Sequence, residues 1–303
     1  MSGILKRRRP VGHWRDLAGF QSYRVAYDEV LSGIAPPTRR LDIATDFGSV
    51  RVYEWTTPET AARPPVLLLP GVRSGAPMWT ENLPHWINRR TVYAMDAIGD
   101  AGMSTQSVPF ASFDDQAAWV EQLLGALGID RIHVVGHSFG GAIGATHALR
   151  HPSRVASLTL LEPVIVLHGL PASMYLWAAL LVLPLPQSWK DLGLARIGGV
   201  SIEEIRERTP LSEMIDRAAD SFGAVNVRPR TFSDDEWRSL SMPVRIDLAA
   251  TSSMAGGDKA AERARRLGKD PVTVWPETTH SLPMQAAEPL GPELERYWTA
   301  HDR

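Results

Sequence analysis

The chain has 303 residues, 44% of them hydrophobic, with 32 basic side chains against 34 acidic ones for a formal net charge of −2. A chain of this length buries roughly 75% of its unfolded surface, so it needs no covalent staple. The lack of cysteine excludes disulfides, thiolate nucleophiles and Cys-ligated zinc, and the near-neutral charge argues against nucleic acid as a partner.

A basic run, Lys6 to Arg9, precedes Pro10. Gly12, His13, Arg15 and Asp16 then stand where a secretory signal would need 7–15 apolar residues. The expected location is therefore the cytoplasm, with the basic run a solvated tail in preference to a membrane or nucleic-acid contact. The most apolar stretch, Leu176 to Leu185, is too short for a membrane span of about 20 residues and contains Pro184. It reads as a buried helix or a pocket wall.

Trp14, Leu17, Phe20, Tyr23, Tyr27, Val30 and Leu31 recur at helical spacing and stop at Gly33 and Pro36-Pro37, predicting a helix that packs on the domain. Alternating residues on either side of Asp46-Phe-Gly48 predict an antiparallel hairpin. From residue 65 the pattern changes to short, almost wholly apolar runs: 66–69, 91–95, 132–135, 158–161, 244–250 and 272–275. Segments such as Phe113 to Leu127 and Gly140 to Leu149 supply helices between them. Strands apolar on both faces and separated by helices belong to a mostly parallel sheet covered on both sides, an α/β fold. Residues 163–235, including the helical stretch Arg206 to Ala219, interrupt the alternation and read as a helical lid over the strand ends, where ligands sit in such sheets. The expected organisation is a tail and packing helix at 1–40, a core at 41–162 and 236–303, and the lid at 163–235.

Gly136-His-Ser138-Phe-Gly140 follows an apolar run directly and leads into a small-residue helix. A strand that reverses into a helix this sharply crowds its own backbone, so the glycines are needed and the central serine is strained and exposed. The bland alternative is a tight turn without chemistry. A serine nucleophile needs a base on a loop after the last strand, and His280 fits, ahead of a C-terminal helix expected from about Pro292. The other eight histidines fall within a strand, in the elbow, along the next helix or on surface segments.

With these motifs the chain resembles the α/β-hydrolase superfamily, and within it a group of bacterial carboxylesterase-like proteins. The resemblance runs from about Phe20 to the C-terminus. It rests on Ala26-Tyr-Asp-Glu-Val-Leu31, Pro70-Gly71 with Met78-Trp79, Asp96-Ala-Ile-Gly99-Asp100-Ala-Gly-Met-Ser104, the Ser138 elbow, Phe232 to Leu240 and the His280 loop. It implies an oxyanion hole built from the backbone N–H groups of Val72 and Phe139. Pro70 replaces the family's usual histidine, which leaves backbone donors untouched but changes how the loop is braced.

The acid departs from the family pattern. The loop after the strand 244–250 reads Thr251-Ser-Ser-Met254, with no carboxylate, and Asp258 comes a few residues late. Relatives such as the haloalkane dehalogenases place the acid after the strand that follows the nucleophile, and Glu162 occupies that slot here. Glu162 is favoured over Asp258, and no working acid is the third option; the bland reading of Glu162 is a carboxylate capping a strand end. Asp96 and Gly99 to Gly102 read as a structural turn rather than a metal or phosphate site. Arg73 is the one cation expected near the pocket mouth, as a solvated loop residue or as a partner for an acidic substrate group.

The expected function is a serine hydrolase with no cofactor and no metal, cleaving an ester of a small molecule through a Ser138 acyl-enzyme. Met174, Trp177 and Leu181 of the lid would line the site and favour an apolar substrate. The same chemistry would serve a thioester, amide or lactone. The missing carboxylate after residue 250 keeps open a non-hydrolytic ligand-binding protein.

Overall fold

The computed structural model describes residues 10–169, 176–177, 183, 185–198, 208–225 and 227–303. Its centre is a sheet whose principal strands, in chain order, are β1 (Arg39–Thr45), β2 (Gly48–Trp55), β3 (Val66–Leu69), β4 (Val92–Met95), β5 (Ile132–His137), β6 (Val155–Leu161), β7 (Val244–Ala249) and β8 (Val272–Trp275). In space they run β8-β7-β6-β5-β3-β4-β2-β1. The six strands from β8 to β4 pair in parallel, and β2 and β1 add the antiparallel hairpin at one edge.

Largely apolar strands are what a sheet with two covered faces requires, because successive side chains point to opposite sides. On β3, Leu67 and Leu69 enter one core layer while Val66 and Leu68 enter the other. Val134 and Val135 on β5 split in the same way. The first layer takes Trp119 and Leu123 from α2 (Asp114–Ala126) and Ile143 from α3 (Ser138–Arg150). The second takes Tyr23 and Tyr27 from α1 (Leu17–Leu31), with Trp79, Trp86 and Trp298. Each fully buried aliphatic side chain here contributes about 1.5–3 kcal/mol relative to exposure.

Helix α1 begins where the Asp16 side chain accepts from the Gly19 N–H at 2.7 Å. It buries Tyr23, Ala26, Tyr27 and Val30, whereas Leu17, expected on the packed face, is exposed. The Tyr27 hydroxyl stands 3.0 Å from both Asp96 oxygens and donates to that carboxylate. Asp96 also accepts the N–H groups of Ala76 and Met103, so one buried residue ties α1 to the loops after β3 and β4. This is the structural role expected of Asp96.

Within the insert the described helices are α4 (Gln187–Gly198) and α5 (Pro210–Ser221), the latter opened by a reciprocal Thr209–Ser212 capping pair. The chain just before α1 pairs antiparallel with Phe222–Gly223, at the end of α5. Arg263 on α6 (Gly257–Arg266) donates to the carbonyls of Leu167 and Phe232, so one side chain holds both the departing and the returning strand of the insert. The C-terminal helix α7 spans Ala287–Ala300, starting five residues before the expected Pro292. Proline favours a first helical turn because it lacks an N–H, but here the helix tolerates Pro292 inside it. Among the described residues no helix is long and apolar enough to cross a membrane.

Candidate active site

Strand β5 ends at His137 and α3 begins at Ser138 with no residue between them. Ser138 therefore sits at φ 55°, a left-handed conformation that a non-glycine residue adopts only under constraint. A Cβ on Gly136 would stand 2.4 Å from the Gly140 carbonyl oxygen, and one on Gly140 would stand 2.3 Å from the Leu69 carbonyl oxygen. Both positions accept only glycine, which is why the reversal can be this tight.

His280 lies after β8 in the loop leading to Leu282–Gln285. Its Nε2 is 2.9 Å from Ser138 Oγ, and its Nδ1 is 3.2 Å from Glu162 Oε2. The three residues, separated by 142 and 118 positions along the chain, form one hydrogen-bonded line. The alternative acid, Asp258, is exposed on the first turn of α6.

Glu162 is wholly buried just past the end of β6, at φ 49°. Its Oε1 accepts the Ala249 N–H at 2.8 Å and the Ser253 hydroxyl at 2.6 Å, and its Oε2 accepts the Met254 N–H at 3.0 Å. Burial pushes this carboxyl upward, but the hydrogen bond and charge attraction of His280, with the Ala249 and Ser253 donors, outweigh it and hold the group below the usual carboxylate range. An ionised carboxylate only accepts, so His280 carries its proton on Nδ1 and leaves Nε2 free to accept from Ser138.

His137, which the sequence offers only as the variable residue of the elbow, braces this arrangement. Its Nε2 is 2.8 Å from the His280 carbonyl oxygen, and the two rings lie 4.9 Å apart. A carbonyl only accepts, so His137 is protonated on Nε2. Burial, followed by repulsion from His280, pushes its pKa down to about 3, so it stays neutral. The Thr279 N–H donates to Gln285 Oε1 at 2.7 Å and fixes the same loop from its other side. Neither contact carries a sequence signal, since each depends on how separate segments meet.

Val72 and Phe139, the expected oxyanion donors, both line the cavity that contains Ser138. Phe139 falls in the first turn of α3, where backbone N–H groups find no acceptor within the helix. The loop holding Val72 is braced without the usual histidine. The Gly71 N–H points to Met78 Sδ at 3.2 Å, the Ser74 hydroxyl donates to the Gly71 carbonyl at 2.8 Å, and the Arg73 N–H donates to Asp100 Oδ2 at 2.7 Å. Burial raises Asp100 to about 6, against the lowering effect of the Arg73 and Ala101 N–H donors.

The cavity measures about 390 Å³, with Val164, Ile165, Leu211, Ile215 and Met254 among its walls. Leu211 and Ile215 come from α5 of the insert. Of the lid residues expected at the site, Met174 and Leu181 lie outside the described residues, and Trp177 is half-buried without lining this cavity. Chemically, the arrangement joins a strained serine, an imidazole poised to take its proton, a carboxylate that fixes the imidazole, and the N–H groups of a helix's first turn beside the serine.

Comparison with known proteins agrees with this architecture. Residues 64–163 match the family profile described as alpha/beta hydrolase fold. An uncharacterised carboxylesterase, nap, of Bacillus subtilis is 26% identical over 92% of this chain and 92% of its own. The carboxylesterase YbfK of the same bacterium is 27% identical over 82% of this chain and 83% of its own. Among solved structures, the naproxen esterase of Bacillus subtilis superposes with a TM-score of 0.82 at 23% identity, covering 92% of this chain and 97% of that one. The chain has the α/β-hydrolase fold. Its similarity to two bacterial carboxylesterases supports a carboxylesterase-like hydrolase, as its motifs led one to expect.

Proposed function

We propose that this protein is a serine carboxylesterase acting on esters of small, largely apolar molecules. The observation that carries the reading is the hydrogen-bonded line from Ser138 Oγ through His280 to Glu162. The carboxylesterase relatives support the same class of reaction.

In the first half-reaction His280 Nε2 takes the Ser138 proton as Oγ bonds to the ester carbonyl carbon. The N–H groups of Val72 and Phe139 receive the negative charge on the carbonyl oxygen; losing one such donor costs about 2.7–4 kcal/mol of barrier in a serine protease. The imidazolium, stabilised by Glu162, gives its proton to the alkoxide, the C–O bond breaks, and the alcohol leaves. Water then attacks the acyl-enzyme with His280 again as base, releasing the acid and restoring Ser138. The helix Pro210–Ser221 acts as part of a cap over this site, a role supported by Leu211 and Ile215 in the cavity wall. The apolar character of that wall supports an apolar substrate body.

The test uses a fluorophosphonate probe and a series of 4-nitrophenyl esters. Stoichiometric labelling confined to Ser138, with ester cleavage abolished in Ser138→Ala and His280→Ala, is the expected result. The double variant should be no worse than either single one, because residues acting as a unit give non-additive losses. A wild-type protein that neither labels nor cleaves any ester in the series refutes the proposal.

A further inference from the structure

Among the described residues lining the Ser138 cavity, Arg73 is the one with a permanent charge; the rest are apolar, glycine, hydroxyl-bearing or histidine. Arg73 is half-buried, and a guanidinium drawn further into an apolar cavity is costly to desolvate unless something pairs with it. No carboxylate among the described residues lies within ion-pair distance of its guanidinium. Its Nε is buried and has no hydrogen-bond partner among the described residues. Asp100 accepts the Arg73 backbone N–H and feels the charge of its side chain only from beyond ion-pair distance.

The backbone of Arg73 is constrained as well. The residue sits at φ 63°, a conformation glycine would adopt without strain. The hydrogen bond from its N–H to the buried Asp100 fixes that conformation, one residue beyond the Val72 N–H. A strained, anchored arginine with an unused buried donor is a positioned cation.

We propose that Arg73 is a specificity residue that pairs with a carboxylate on the substrate, so that the preferred ester combines an apolar body with a carboxylate. A guanidinium makes charge-assisted, two-pronged hydrogen bonds to a carboxylate, and among the described lining residues Arg73 alone brings a permanent positive charge, where the backbone N–H groups beside Ser138 offer only neutral donors. The inference rests on the esterase reading for its kinetic consequence but not for binding, and the tests separate the two.

The kinetic test compares kcat/KM for 4-nitrophenyl hydrogen glutarate, with its charge on the acyl side, and 3-carboxy-4-nitrophenyl butyrate, with its charge on the leaving group, against uncharged 4-nitrophenyl valerate and butyrate. For at least one anionic ester the ratio to its neutral counterpart should fall at least tenfold in Arg73→Gln, and Arg73→Lys should recover part of it. The binding test titrates Ser138→Ala, with and without Arg73→Gln, with 4-phenylbutyrate and its uncharged amide. The carboxylate should bind at least tenfold more tightly than the amide, and that preference should disappear with Arg73→Gln. Equal anionic preference with and without Arg73 in both tests overturns the proposal. A binding preference that depends on Arg73 in a protein that never cleaves esters would support it while sinking the esterase reading.

Discussion

Glu162 reaches Nδ1 of His280 across 3.2 Å from the end of β6, while the loop after β7 supplies Glu162 with hydrogen-bond donors instead of an acid of its own. The absence of a carboxylate at Thr251–Ser253 and the presence of one at Glu162 are thus two sides of one arrangement. A second acid after β7 would face Glu162 and repel it; a serine there satisfies it.

If this carboxylate fixes the His280 tautomer, Glu162→Gln should lower kcat by roughly 10⁴, the loss seen when a triad aspartate is replaced by its amide. Asp258→Asn, at an exposed position on α6, should leave kcat within twofold. Ser253→Ala removes one donor of several and should cost less than tenfold. Steady-state kinetics alongside thermal melts checks all three, the melts confirming that each variant is folded. A Glu162→Gln enzyme with kcat within tenfold of wild type would remove Glu162 from the mechanism.

His137 should act as a positioning residue for the base. Replacing it with phenylalanine keeps a ring of similar size but removes the donor to the His280 carbonyl, leaving a buried acceptor unpaired. We expect His137→Phe to lower kcat tenfold to a hundredfold while KM changes little, and His137→Gln, which retains an N–H donor, to recover part of the loss. If both variants lose stability equally and kcat not at all, the contact serves packing alone.

How much of this was legible in the sequence differs residue by residue. Ser138 was readable because its signal is local: an apolar strand, two obligatory glycines and a helix within a few residues. His280 followed because one histidine sat in a loop after the last apolar run. Glu162 was readable only as a choice between candidates, since nothing in the sequence says that the ends of β6 and β7 meet at His280. The parallel pairing of β6 with β7, Leu161 opposite Asp247, is what brings Glu162 to the Ala249 N–H and the Ser253 hydroxyl. The bracing by His137 and the anchoring of Arg73 by Asp100 could not be read at all, because each joins loops whose approach is set by the finished sheet. The start of α7 differs from the expected Pro292 for a local reason: Pro292 looks like a helix opening, yet the packed residues Ala287 and Leu290 extend the helix back before it.

Buried histidines away from the site should also make themselves felt. His147 on α3 is fully buried, with Nε2 3.3 Å from Glu121 on α2 and its ring stacked on His151 at 5.2 Å. Burial pushes its pKa down to about 4, further than the Glu121 hydrogen bond raises it. In the unfolded chain a histidine titrates near 6.5, so the unfolded state binds the extra proton first as the pH falls. The stability that His147 contributes as a neutral group is therefore present above about pH 6.5 and is lost as the pH drops from there toward 4. Glutamine at this position cannot titrate, so the comparison isolates the one group: the chain that keeps His147 should lose about 2 kcal/mol relative to His147→Gln between pH 7.5 and pH 5. With His151, whose ring stacks on His147, replaced by glutamine in both proteins, Asp100 and the other titrating residues away from this pair drop out of the difference, and Glu121, held below the ordinary carboxylate range, stays ionised over that window. Urea unfolding of the two proteins at both pH values measures the gap. A stability difference that does not change with pH would show that His147 titrates alike in the folded and unfolded chains, and that its burial does not govern its charge.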